Sequence, residues 1–212
     1  MAITYPLTWP ATLYPQGITL TPVNLTAQAP SPFTAARQTH EHQGKLWRME
    51  YRMAPLTEAQ GRELFGLVLA LNGVVGTVLV GDMSLDAPRG VGTGTPLAAT
   101  TGSPLPNRAR QSELAVDGLN PNVTGILLRG DMLQIGSGSG SRLHALTADA
   151  DSDGSGAATL DIWPPLRADV PDAAPITLAK PKGVFHLETN LTPIEIEVAK
   201  IYGLTLSFLE AL

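Results

Sequence analysis

The residues of this chain most suggestive of chemistry are the three carboxylates of Asp149-Ala150-Asp151-Ser152-Asp153-Gly154. Oxygen ligands at alternate positions before a turning glycine form the first half of a calcium-binding loop between two helices. The second half does not follow. Its twelfth position falls on Leu160, where a bidentate Glu is required, and the flanks Leu143 to Leu146 and Ala158 to Ile162 alternate like strands. The segment is expected to be a polar hairpin loop, and no metal ligand is assigned to Asp149, Asp151 or Asp153.

Gly136-Ser137-Gly138-Ser139-Gly140-Ser141 has the composition of a phosphate-cradling loop. Such a loop opens a helix and, in ATPases, carries Lys beside Ser or Thr, whereas here Arg142 and a strand follow, so a flexible hairpin connection is expected. The same letters match Gly-x-Ser-x-Gly, but without the strand-to-helix elbow that exposes a serine nucleophile. His40-Glu41-His42 could place two imidazoles on one side of a strand, with a third metal ligand from His144 or His186. Gln38 to Gly44 is strongly polar, however, and solvated loop or strand-end histidines are the expectation. Acids suited to glycosidase chemistry are identified only by their separation in space. The chain is therefore expected not to be an enzyme, with no catalytic, cofactor-binding or metal residue and no cofactor.

Composition points the same way. Among 212 residues there is no Cys, which removes disulfides, zinc-thiolate sites and thiol nucleophiles together. Charged residues are only 16%, against about 25% in an average domain, while 21 Gly and 18 Pro supply many turns. A net charge of −5 with scattered Lys and Arg gives no basic face for phosphates, so specific nucleic-acid binding is not expected. No apolar run approaches the ~18 to 20 residues of a spanning helix, so membrane insertion is not expected either. The opening Met1-Ala2-Ile3-Thr4-Tyr5-Pro6 does not resemble a secretion signal. Three Trp, four Tyr and four Phe are little material for a stacking platform. Trp47 reads as core, and Trp163, ahead of Pro164-Pro165, as a ring covering the mouth of a barrel.

The elements that would position any of these residues are mainly strands. Tyr5 to Thr21, interrupted by Pro6, Pro10 and Pro15, reads as irregular β. From Trp47 to Met53, the residues Trp47, Met49, Tyr51 and Met53 alternate with Arg48, Glu50 and Arg52, the signature of a half-buried strand. Thr57 and Gln60 form a capping box, so a helix of about four turns should begin near Glu58, bury Leu64, Phe65, Leu67, Val68 and Leu71, and stop at Asn72-Gly73. Val74 to Val80 reads as a strand packed on it. Asp86 to Asn107 has no sustained period. Short strands are expected at Glu113 to Val116, Ile126 to Ile135, Arg142 to Ala148, Ala157 to Ile162 and Ile176 to Ala179, enough for a small barrel or sandwich. Ile194, Ile196 and Val198, then Leu204, Leu206 and Phe208, alternate again and should complete the first sheet. The chain therefore divides into a β-rich, sandwich-like domain, 1–83 and 183–212, with one helix near 58–72, and an inserted small all-β domain, 84–182.

The order of motifs carries a resemblance. Trp47-Arg48-Met49-Glu50-Tyr51, the helix ending at Asn72-Gly73, Gly81-Asp82, Pro88-Arg89-Gly90, Gly130-Asp131-Met132-Leu133-Gln134-Ile135-Gly136 and Ala158-Thr159-Leu160-Asp161-Ile162-Trp163-Pro164 together resemble the distal tail proteins of long-tailed (siphovirus-type) bacteriophages. The likeness runs from about Trp47 to Leu209, and none of its motifs is catalytic. It implies a structural virion protein of the tail tip or baseplate, assembled in the host bacterial cytoplasm. Copies would form a homo-oligomeric, hexameric ring joining the tail tube protein to the tip hub, near the tape-measure protein, with a central channel for DNA. Its ring domain would be β-rich and its second domain would face outward. Two alternatives remain beside it: a carbohydrate-binding or receptor-binding tail accessory module, and another tail component such as a tube or hub protein.

Overall fold

The fold is that of a computed structural model, which describes residues 3–42, 44–92, 94–99, 106–193, 195–196 and 202–211. In chain order the elements are β1 (Leu7–Thr8), β2 (Pro15–Val23), β3 (Thr26–Pro30), β4 (Arg37–Glu41), β5 (Leu46–Met53), α1 (Glu58–Leu71) and β6 (Thr77–Val80). Next come β7 (Gly94–Ala98), β8 (Glu113–Leu119), β9 (Met132–Ile135), β10 (Arg142–Leu146), β11 (Ala158–Trp163) and β12 (Ile176–Thr177). The chain closes with β13 (Gly183–Leu187), β14 (Glu195–Ile196), β15 (Tyr202–Gly203) and β16 (Thr205–Glu210). The protein is mainly β with one helix, and among the described residues no helix is long and apolar enough to cross a membrane.

Strict alternation makes β5 the spine of the first sheet. Trp47, Met49, Tyr51 and Met53 are buried while Arg48 and Arg52 face out, as a period of two requires. The sheet runs β1-β6-β13-β16-β5-β2, antiparallel except for the β1–β6 pair, and places Met49 between Leu20 of β2 and Phe208 of β16. Trp9, Tyr51 and Phe208 meet edge to face, with centroids 5.1 Å apart for Trp9–Tyr51 and 5.5 Å for Tyr51–Phe208. Each such side chain contributes about 1.5–3 kcal/mol by leaving water.

Helix α1 starts where its capping box lies, with the Thr57 N–H donating to Gln60 Oε1 at 3.2 Å, and stops at Asn72 in the left-handed region, φ 51°. Leu64 and Leu71 enter the core, but Phe65, expected inside, is 48% exposed. The buried residues of the helix are Gly61, Leu64 and Leu71. β6 begins at Thr77 rather than Val74, because Gly73 is also left-handed and Val74 and Val75 are spent in the turn, exposed.

The second sheet is drawn from residues 94 to 177 and runs β12-β9-β10-β11-β8-β7. Its two outer strands meet: Ala98 N–H donates to Ala174 O at 3.0 Å and Ala173 N–H to Ala98 O at 2.9 Å, so the sheet nearly closes into a barrel. Leu114, Leu133, Leu143 and Leu160 are fully buried, Leu143 turning toward the first sheet's core and the other three filling the barrel. Ile126 and Leu127, expected in a long strand to Ile135, lie buried in the preceding connection, where Leu127 makes an isolated antiparallel bridge to Ala150, and the strand itself spans only Met132 to Ile135. β7 arises within the stretch that lacks a period.

At the chain's end, β16 enters the first sheet between β13 and β5 as expected. β14 does not; it pairs with β15 alone. The positions Ile194 and Val198 lie outside the described residues. The hairpin β3–β4 also stands apart, bonded to neither large sheet.

Candidate functional site

The three aspartates of the calcium-like loop face backbone amides. Asp149 Oδ1 accepts from Arg129 N–H at 2.7 Å, Asp151 Oδ1 from Gly125 N–H at 2.7 Å, and Asp153 Oδ1 from the N–H groups of Ser155 and Ala157 at 2.8 and 2.9 Å. The Ser155 hydroxyl, ahead of those amides, holds the Asp153 carboxyl below the usual carboxylate range. The Asp153 bonds close its own turn, whereas Asp149 and Asp151 tie the β10–β11 connection to the one between β8 and β9. Among the described residues no group of three His, Asp or Glu side chains is arranged to hold a metal ion.

The histidines are likewise dispersed. His40 and His42 stack edge to face at 4.9 Å on the exposed hairpin and its exit. His186 lies on β13 with Nδ1 2.8 Å from Leu187 O. His144 is buried in the barrel, Nδ1 2.7 Å from Pro164 O, and loss of hydration pushes its pKa down to about 4. Gly136 to Ser141 is a hairpin connection tightened by a single 3₁₀ turn at Gly138–Gly140, with β10 following directly.

Several of the motifs that carry the resemblance are one bonded unit. Asp131, buried, accepts from Arg89 N–H at 2.9 Å through Oδ1, and from Gly90 N–H at 3.1 Å and Leu128 N–H at 2.9 Å through Oδ2. A Cβ on Gly90 would lie 2.5 Å from Ile126 O, so only glycine fits. Tyr51 reaches Gly81 in the same fashion: its hydroxyl donates to Gly81 O and accepts from Gly81 N–H at 3.0 Å. Buried Asn107, which no sequence pattern singled out, bonds Ala99 O, Ala115 O and Ala115 N–H at 2.7–2.9 Å and so extends the β7–β8 edge. Each device shapes the backbone, and none leaves a reactive group poised in a cleft. Neither a known family model nor any curated protein matches this chain.

What remains on offer are surfaces. The hairpin β3–β4 is the most exposed: every residue of both strands faces solvent, although five cross-strand pairs from Thr26–Glu41 to Pro30–Arg37 are in register. Its tip is built, with Ser31 N–H donating to Ala36 O at 2.8 Å and Ala35 left-handed at φ 54°, and it carries Phe33 94% exposed. Leu25 is exposed at its base, and Phe65 and Leu69 form an apolar step, i and i+4, on the outer face of α1.

The two sheets meet at a polar and aromatic seam. Trp47 and Trp163 pack edge to face at 4.4 Å, and Trp47 Nε1–H donates to Leu143 O at 3.0 Å. Trp163 thus closes against the first sheet. Glu210, at the end of β16, bonds Arg167 beyond β11.

Proposed function

We propose that this chain is a structural protein of a long-tailed phage tail tip, acting by self-association into a ring between the tail tube and the hub, with a central channel for DNA. The motif order from Trp47 to Trp163 supports the family, and the observation that supports self-association is the β3–β4 arm. A two-stranded hairpin without a core of its own is marginal in water, and its free edges and exposed Phe33 are the features that partner chains cover. A ring requires two different faces on each copy, and an arm reaching to a neighbour is one such face. Loop carboxylates bonded to backbone amides and a buried neutral histidine fit a protein that works through its surfaces.

The test is native mass measurement with negative-stain microscopy of the purified protein, alone and with tube and hub proteins from the same particle. The expected result is a closed ring of identical copies, six by the resemblance, that binds tube and hub on opposite faces. A chain that stays monomeric at every concentration and binds neither would overturn the proposal.

A further inference from the structure

A second feature of the seam is a cleft of about 610 Å³ between the base of the hairpin arm and the barrel. Glu41, His42 and Lys45 form one wall, and Arg110, Ser112 and the segment from Pro165 to Arg167 form the other. Three cationic residues thus line one cleft in a chain whose net charge is −5. Two of them are partly committed. Lys45 pairs with Glu41 at the rim, and Arg167 gives Nη2 to Glu210 behind it at 2.9 Å. Neither is exhausted, since an ammonium has three donors and a guanidinium five. Arg167 Nε–H is buried with no acceptor among the described residues. Arg110 has no carboxylate partner among the described residues, yet its backbone is held in the left-handed region, φ 75°, by an N–H bond to Leu166 O at 2.7 Å. That position is unfavourable for a side-chain-bearing residue and fixes Arg110 at the mouth of the cleft.

We propose that this cleft binds an oxyanion-bearing ligand, a phosphate or carboxylate group gripped by Arg110 and Lys45 at the rim and directed toward Arg167. Planar guanidinium donors suit both groups, and the cleft has room for more than the bare ion. The chemistry could reach the cleft on a free phosphorylated small molecule or on an acidic side chain of a second copy. The inference does not depend on ring formation.

Two-dimensional NMR titration of the full chain with inorganic phosphate and with glucose 6-phosphate tests it. Saturable shifts at Arg110, Ser112 and Arg167 are expected. Binding should weaken at least about tenfold in Arg110→Gln and in Lys45→Gln, each confirmed folded by its amide spectrum, and stay unchanged in Arg129→Gln, an exposed arginine on a barrel turn away from the cleft. Absence of saturable shifts, or equal weakening in the Arg129 variant, would overturn the proposal. Sedimentation of the same samples separates the sources: phosphate that dissociates oligomers marks a copy's carboxylate as the natural ligand, and phosphate that binds without changing mass marks a free one. Both patterns uphold the site.

Discussion

Glu210 and Arg167 form an ion pair sealed between the two sheets: Oε2 lies 2.9 Å from Nη2, with 1% of the Glu210 side chain and 14% of the Arg167 side chain exposed. The same oxygen accepts the Trp47 N–H at 3.0 Å, so one carboxylate ties the first residues of β5 to the segment after β11. Glu210 Oε1 and Arg167 Nε have no hydrogen-bond partners among the described residues. Burial pushes the Glu210 carboxyl up, and the attraction of Arg167 does not bring it back to its ordinary value. The pair is therefore a device for orientation more than for stability.

Glu210→Ala should cost about 3–5 kcal/mol, because it strands a buried guanidinium and an amide. Glu210→Gln should cost less, since it keeps an acceptor for both. Joint replacement by Leu at 210 and Met at 167 should cost little or even stabilise. A raised pKa means that the native state holds its proton longer than the unfolded chain. The stability that Glu210 contributes is full below its unfolded pKa and lost as pH rises through the folded one, so Glu210→Gln should remove that decline. Urea unfolding across mildly acidic pH measures all of these; an alanine variant as stable as the parent would contradict the reading.

His144 titrates with the opposite sign. Its folded pKa of about 4 lies below the ordinary 6.5, so its contribution is complete above pH 6.5 and disappears as pH falls toward 4. The difference corresponds to something on the order of 3 kcal/mol. Neutral His144→Gln should flatten the acid limb of the stability profile. An unaltered acid limb in the His144 variant would show that the imidazole is protonated in the folded state.

Glu210 also shows what was legible in the sequence and what was not. Leu204, Leu206 and Phe208 announce a strand by period two, and the same period puts position 210 on the inner face, so a charge there was a readable sign of a buried pair. Its partner was not readable, because Arg167 follows Pro164-Pro165 in a stretch without periodicity. Strong alternation and a capping box made β5, α1 and β16 plain. β7 was hidden by glycine and proline, β13 has buried residues on both faces, and the β3–β4 hairpin is exposed on both, so none of them shows the one-sided burial that patterning records. The aspartates of the loop at 149–153 had the right letters for an ion, but Asp149 and Asp151 are used by amides that the barrel brings within 3 Å, which is long-range information, while Asp153 closes a local turn.

Tyr51 offers a cleaner measurement of one buried hydroxyl. Tyr51→Phe keeps the ring against Trp9 and Phe208 but leaves the Gly81 N–H and C=O without their bridge, at a cost of about 1–3 kcal/mol. Burial pushes the phenol up, so the hydroxyl stays protonated and its bridge persists through alkaline pH. Gly81→Ala should be worse, because its Cβ would lie 2.0 Å from Pro181 O. Thermal unfolding of both variants ranks them, and a Phe variant equal to the parent would mean that water replaces the bridge at no cost.

The arm gives the prediction that separates folding from assembly. None of the residues of β3 or β4 belongs to either hydrophobic core, and their side chains are exposed throughout. Phe33→Ser, or replacement of residues 26–41 by a short Gly-Ser turn, should therefore leave the stability of an isolated copy within about 0.5 kcal/mol. The same changes should abolish or sharply weaken self-association, because a side chain that stabilises nothing within its own chain gains apolar contact only in a neighbour's. Sedimentation velocity compared with urea unfolding on the same variants decides between the two roles. Loss of stability in step with loss of assembly would make the hairpin part of the fold, whereas assembly lost from a fully stable subunit would make it the contact between copies.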